Sequence, residues 1–133
     1  MIVVDTNILA YLLLPGDRSH SAQSLLERDP EWAAPILWRS ELRQVIANYV
    51  RRGDLSVDAG AELWSRANVL LGGRQHLVPT RTVLDLANDS GCSAYDCEYV
   101  ALAKLLGVPL ITEDRALLTS FTDVARPLIA PAR

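Results

Sequence analysis

The chain has 133 residues, of which half are hydrophobic and 22% charged. That is long enough for one domain with its own core and too apolar for a disordered or fibrous protein, so a single domain over residues 1–133 is expected. The net charge of −3 supplies no general attraction to a phosphate backbone, which leaves local arginines or metal ions to attract nucleic acid.

Ile2-Val3-Val4 is a short, mostly β-branched run that reads as a buried strand, and it stops at Asp5-Thr6-Asn7. A short helix follows at about 7–13 until Pro15-Gly16. Ser19 or Ser21 opens a second helix through Glu27, which Asp29-Pro30 ends. Trp32–Pro35 is a candidate short strand. From Leu37 to Arg52 the apolar residues Trp38, Leu42, Val45, Ile46 and Tyr49 recur on one helical face, and Gly53 closes the helix. Asp54-Leu55-Ser56 forms a turn and cap before a helix through Leu71, stopped by Gly72-Gly73. His76–Pro79 is a strand candidate, and Thr80–Ala87 a helix. Ser93 looks like an N-cap with an acid three positions on, for a helix that reaches Leu106 and ends at Gly107. Val108–Ile111 is a buried strand ending in Thr112-Glu113-Asp114. A short helix to about Phe121 follows, and Pro127–Ala130 is read as a last edge strand.

Strands alternating with helices imply an α/β fold whose parallel sheet is covered on both faces. Right-handed crossovers then bring the ends of the two best strands, with Asp5 and Asp114, to one edge of the sheet. No stretch is long and apolar enough to span a bilayer, and Asp5 and Asn7 break the apolar N-terminus where a cleavable leader needs continuity. No membrane and a cytoplasmic location are the expectation. Cys92 and Cys97 are too few for a disulfide framework or a four-ligand zinc site and are read as free thiols.

Of the sixteen acidic residues, Asp17, Glu27, Asp29, Asp54, Asp58 and Asp123 fall in turns or on polar faces, as solvated carboxylates do. Glu41 is harder to place, because at about 100° per residue it lies roughly 60° from Trp38, at the margin of an apolar stripe. An exposed, salt-bridged Glu remains the alternative there. Asp96 lies about 60° from Tyr99, turned partly toward the packed side of its helix. A first-turn acid favoured by the helix dipole is the alternative reading. Asp5 likewise could be no more than a helix cap. Four carboxylates sharing one edge would repel one another, and a divalent cation removes that cost. An oxygen-only set without His or Cys suits Mg²⁺ or Mn²⁺. One or two such ions would activate a water and stabilise the leaving oxygen of a phosphodiester.

Asp5-Thr6-Asn7-Ile8-Leu9, Glu41 in its helix, Tyr95-Asp96 followed by Tyr99–Ala103, and Leu110–Arg115 together resemble the motifs of the PIN-domain ribonucleases. More narrowly, the chain is similar to the VapC-type toxins of toxin–antitoxin pairs. That resemblance implies a three-layer α/β/α sandwich with a central parallel sheet and an acidic Mg²⁺/Mn²⁺ site that cleaves RNA. It makes Asp5, Glu41, Asp96 and Asp114 the acidic quartet, with Thr6, Asn7 and Thr112 as polar supports. On this reading Asp5, Asp96 and Asp114 hold metal, Glu41 holds metal or orients the water, and Arg39, Arg43 and Arg115 contact phosphate. Homodimers and inhibition by a small antitoxin protein are implied too. Two departures stand out. Glu113 sits beside Asp114, so only one of the two can face the site, and Asp114 is chosen. Cys97-Glu98 replaces small residues after the third acid.

Two other readings compete. A PIN-like module binding RNA or a partner without cutting would share the fold. A receiver-like phospho-acceptor domain would need paired acids after the first strand and a Lys after a late one, whereas the one lysine, Lys104, lies within a helix. His20 and His76 have no triad partners. Gly72-Gly73 lacks the Lys and Ser/Thr of a phosphate loop. The tryptophans and tyrosines fall mainly on apolar faces, as core or interface residues do.

Overall fold

In a computed structural model describing residues 1–129, seven helices and five strands alternate along the chain. The strands are β1 (Ile2–Val4), β2 (Trp32–Pro35), β3 (Gln75–His76), β4 (Leu110–Ile111) and β5 (Ala125–Arg126). They form one sheet in the order β3-β2-β1-β4-β5, with every pairing parallel. The helices are α1 (Thr6–Leu13), α2 (Ser19–Arg28), α3 (Trp38–Arg51), α4 (Val57–Leu71), α5 (Thr80–Ser90), α6 (Ala94–Leu106) and α7 (Arg115–Ser120).

A parallel sheet has to be covered on its faces. Here α6 lies on β1, β2 and β4 with α5 packed against it, while α1 packs with α2, α3 and α4, and α4 reaches β2. This is the expected α/β/α arrangement. Val3 and Val4 at the centre of the sheet are fully buried, as are Ile8, Leu9, Trp32, Trp38 and Leu110. Each such side chain contributes roughly 1.5–3 kcal/mol relative to exposure. Trp64 stacks on Trp38, with ring centroids 5.1 Å apart, and extends the core outward between α3 and α4. Gly60 permits that approach, because a Cβ there would stand 2.6 Å from Ile46 Cγ2.

Four elements differ by two residues or more from their expected bounds, and one is β4, which is Leu110–Ile111 rather than Val108–Ile111 because its ladder with β1 begins where Leu110 pairs with Val3. β3 is Gln75–His76 rather than His76–Pro79, and Leu77 beyond it is 80% exposed. Its pairing is set by β2, where Ala34 and Pro35 stand opposite Gln75 and His76, so the apolar run Leu77-Val78 falls past the end of the ladder. The last strand is Ala125–Arg126, ahead of Pro127, since the ladder with β4 pairs Leu110 with Ala125 and Ile111 with Arg126. The expected Pro127–Ala130 strand is therefore displaced toward the N-terminus, and its final residue lies outside the described ones. Helix α5 continues past Ala87 to Ser90, and Gly91 ends it in the left-handed conformation at φ 74° that glycine adopts most readily.

Candidate active site

The carboxyl ends of β1 and β4 are adjacent in the sheet, and both chains leave it into a helix whose N-cap is an aspartate. Asp5 caps α1, its Oδ1 accepting the Ile8 N–H at 3.3 Å. Asp114 caps α7, its Oδ1 accepting the Leu117 N–H at 3.1 Å. Between them Thr112, fully buried, donates its hydroxyl to Asp5 Oδ2 and accepts the Asp114 N–H at 3.0 Å. One side chain thus ties the two strand ends together and sets the spacing of the two acids.

The helices supply the other two acids. Glu41, in the first turn of α3, accepts the Thr6 hydroxyl at 3.0 Å and the Tyr99 hydroxyl at 2.6 Å, both on Oε1. Asp96 is in the first turn of α6, where Ser93 caps the helix by accepting the Asp96 N–H at 3.0 Å. From that first turn Asp96 lines the cleft. Asp5, Thr6, Asn7, Glu41, Asp96 and Asp114, with Gln44, Val45 and Tyr99, line one cavity of about 240 Å³. A larger groove between α3 and α4, about 520 Å³, is lined mainly by apolar residues and has no carboxylate.

The electrostatics match this crowding. Burial raises the Asp5 carboxyl to about 6, against the opposing pull of its bonds from Thr112 and Ile8. Burial also raises Asp96, and the neighbouring Asp114 and Glu41 carboxylates push it the same way. Such repulsion is what neighbouring carboxylates exert on one another. The donor set is entirely oxygen, which is the chemistry of Mg²⁺ and Mn²⁺. Among the described residues no three acidic, His or Cys side chains are gathered closely enough to cage an ion by themselves.

The four acids named from the sequence thus line one cavity. Glu113 points elsewhere, ion-paired with Arg18, which leaves Asp114 as the acid in the cavity. Glu98 is half-buried beside a neighbouring cavity with Ser40. Arg39 and Arg43 are not brought to the cleft. Arg39 donates to Asn68 at 3.1 Å and Gln75 at 3.0 Å and lies 4.6 Å from the Trp64 ring centroid, and Arg43 lies 4.7 Å from the same ring. Arg115, next to Asp114, is exposed. Lys104 pairs with Asp123 at 2.8 Å and lines a cavity that holds none of the four acids, which removes the lysine a phospho-acceptor domain would need. Tyr95 is 65% exposed rather than packed.

Gln44, Val45 and Tyr99 were not singled out from the sequence as parts of a site. Gln44 and Val45 follow Glu41 at three and four positions, and Tyr99 follows Asp96 at three, so helical spacing alone puts them beside the acids. Tyr99 reads as a core aromatic because its ring is one. Only its hydroxyl belongs to the cleft.

Ribonuclease VapC3 of Pyrobaculum aerophilum is 30% identical to the chain over 130 residues, covering 95% of this chain and 98% of that protein. Two solved structures share the fold. PAE2754 of Pyrobaculum aerophilum has a TM-score of 0.75 at 20% identity, over 96% of this chain and 83% of its own. A toxin–antitoxin complex from Klebsiella pneumoniae has a TM-score of 0.67 at 20% identity, over 95% and 97%. Residues 2–126 match the PIN domain itself, and with strand ends, caps and acids disposed as described, the chain belongs to the PIN-domain family.

Proposed function

We propose that the chain is a metal-dependent endoribonuclease that hydrolyses RNA phosphodiester bonds, and the toxin of a toxin–antitoxin pair. The observation that carries this reading is the convergence of Asp5, Glu41, Asp96 and Asp114, from four separate elements, on one small cleft. A cluster so costly in mutual repulsion serves a purpose when a divalent cation neutralises it. Mg²⁺ or Mn²⁺ bound there would act as a Lewis acid on phosphate oxygen and water. Asp5, Asp96 and Asp114 would hold the ion directly or through water. Asp5 retains acceptor capacity on both oxygens, since each has a lone pair beyond the one it uses for Ile8 or Thr112. Glu41 orients the attacking water and takes its proton. Thr6, Asn7 and Thr112 hold the carboxylates in register, and Arg115 is the arginine placed to meet a substrate phosphate.

The partner readings follow from the relatives' names. A ribonuclease relative supports RNA as substrate, and the Klebsiella complex supports a small antitoxin protein as inhibitor. Homodimerisation would draw on the exposed apolar residues Ile36, Leu77 and Leu84, which border one cavity. No helix among the described residues is long and apolar enough to cross a membrane.

The test is cleavage of RNA with Mg²⁺ or Mn²⁺, repeated with EDTA and with Asp5→Asn and Asp96→Asn. Cleavage is expected to stop in all three cases. Activity that survives both chelation and the substitutions sinks the metal-quartet mechanism.

A further inference from the structure

Tyr99 is 2% exposed, and its ring belongs to the core between α6 and the sheet. A phenylalanine would fill that space equally well, so the hydroxyl calls for its own explanation. It lies 2.6 Å from Glu41 Oε1 and 2.7 Å from Thr6 Oγ1, and Thr6 Oγ1 is itself 3.0 Å from Glu41 Oε1. The three oxygens form a closed triangle. Two hydroxyl protons serve its three sides, and each hydroxyl can give only one. If Thr6 donates to Tyr99, then Tyr99 donates to Glu41. If Tyr99 donates to Thr6, then Thr6 donates to Glu41, and otherwise both hydroxyls donate to Oε1. In every arrangement at least one proton points at Oε1.

The mechanical contrast within the triangle matters as well. Glu41 is a long side chain on an open helix face and, left alone, would sample several rotamers. Tyr99 is locked by burial, and Thr6 is held as the first residue of α1, immediately after Asp5. Both fixed groups meet the same oxygen, and among the described residues no hydrogen bond reaches Oε2. Glu41 lines the cleft, so Oε2 is the oxygen left for it.

We propose that Tyr99 is a positioning residue, which with Thr6 pins Oε1 of Glu41 and thereby presents Oε2 to the water and substrate in the cleft. This rests on the nuclease reading above for its consequence in catalysis, but not for the contact itself. Tyr99 acts through Glu41, and it fixes where a base stands rather than how tightly RNA binds.

The experiment compares the whole protein with Tyr99→Phe, Glu41→Gln and the double variant, and with Thr6→Val, which deletes the partner hydroxyl. Tyr99→Phe is expected to lower kcat about 10- to 100-fold, the worth of one hydrogen bond to a charged group, with KM changed less than about 3-fold. In the Glu41→Gln background the same change is expected to cost less than about 3-fold, because the group it serves is gone. Independently of any reaction, the side-chain carboxylate carbon resonance of Glu41, assigned by its loss in Glu41→Gln, is followed by NMR in EDTA. It is expected to move in Tyr99→Phe and in Thr6→Val. An unchanged kcat, an equal loss in both backgrounds, or a resonance that stays in place overturns the positioning role. If the unaltered chain cleaves no RNA while the resonance moves, the nuclease reading falls and the positioning of Glu41 stands.

Discussion

Asp5→Asn is expected to make the metal-free protein more stable at neutral pH while abolishing cleavage. Burial raises the Asp5 carboxyl from 3.8 to about 6. Well below pH 4 the group is protonated in both folded and unfolded chains and makes no difference. As the pH climbs from 4 to 6, the unfolded chain releases its proton while the folded one retains it, and stability falls. Above 6 the loss is complete. A shift of about two pH units at about 1.4 kcal/mol each comes to roughly 3 kcal/mol. The exposure of Asp5 is only 9%, so solvent screening reduces this little. Asparagine keeps an oxygen for the Ile8 N–H and can donate to Thr112 in place of accepting from it. For a chain of 133 residues, 3 kcal/mol corresponds to about 10 °C in Tm. The assay is thermal unfolding of both proteins in EDTA at several pH values between 4 and 7.5. The two should melt most nearly alike at pH 4 and diverge as the pH rises. Other titrating groups, Asp96 among them, largely cancel in the difference. A difference between the two proteins that is flat across this range refutes the reasoning, as does an Asn variant that is the less stable at pH 7.5. Saturating Mn²⁺ should then stabilise the parent, because the carboxylate it neutralises is the source of the penalty.

Two further predictions separate neighbouring residues. Asp114→Asn should reduce RNA cleavage at least 100-fold while Glu113→Gln stays within about 3-fold, since Glu113 pairs with Arg18 outside the cleft and such exposed pairs are worth little; comparable losses in the two variants would show that the strand end faces the site the other way. Thr112→Val deletes the hydroxyl that serves both Asp5 and Asp114, so it should lower unfolding stability by about 1–3 kcal/mol in a urea titration and reduce cleavage as well, and an unchanged urea midpoint would count against the bridge.

Most of the sheet was legible because its strands are apolar runs bounded by turn residues, as at Ile2–Val4 and Leu110–Ile111. The edge strands were misplaced because an edge is defined by its partner rather than by its own hydrophobicity. Leu77 and Val78 look more like strand than Gln75 and His76 do, yet β2 offers its ladder to the latter pair. The acids were legible for a related reason. Asp5 and Asp114 follow strands whose direction fixes their edge, and Glu41 and Asp96 lie at the margins of apolar helical stripes. The arginines were not, because a helical wheel gives a direction and not a destination. Arg39 and Arg43 precede and follow Glu41 by two residues, but their long side chains lie over Trp64. No local pattern announces that Trp64, from the next helix, will be there to receive them.

The aspartates raise a question of interpretation, whether each is a helix cap or a site residue. The geometry lets one residue serve as both. An N-cap carboxylate spends one oxygen on a backbone N–H, and in a parallel α/β fold the N-cap of the following helix stands at the strand's carboxyl end, where ligands bind. The residue that starts the helix is therefore also the one that presents acceptor capacity to the cleft. Alanine at Asp5 or Asp114 would remove both functions together, at about 0.5–2 kcal/mol for the cap alone, and lost activity would not distinguish misfolding from missing chemistry. Asparagine keeps the cap and removes the charge. Asp96 provides the contrast, because its helix is capped by the Ser93 side chain and not by its own carboxylate. Alanine and asparagine at Asp96 should thus be equally inactive and nearly equal in stability, whereas at Asp5 they should be equally inactive but clearly separated in Tm.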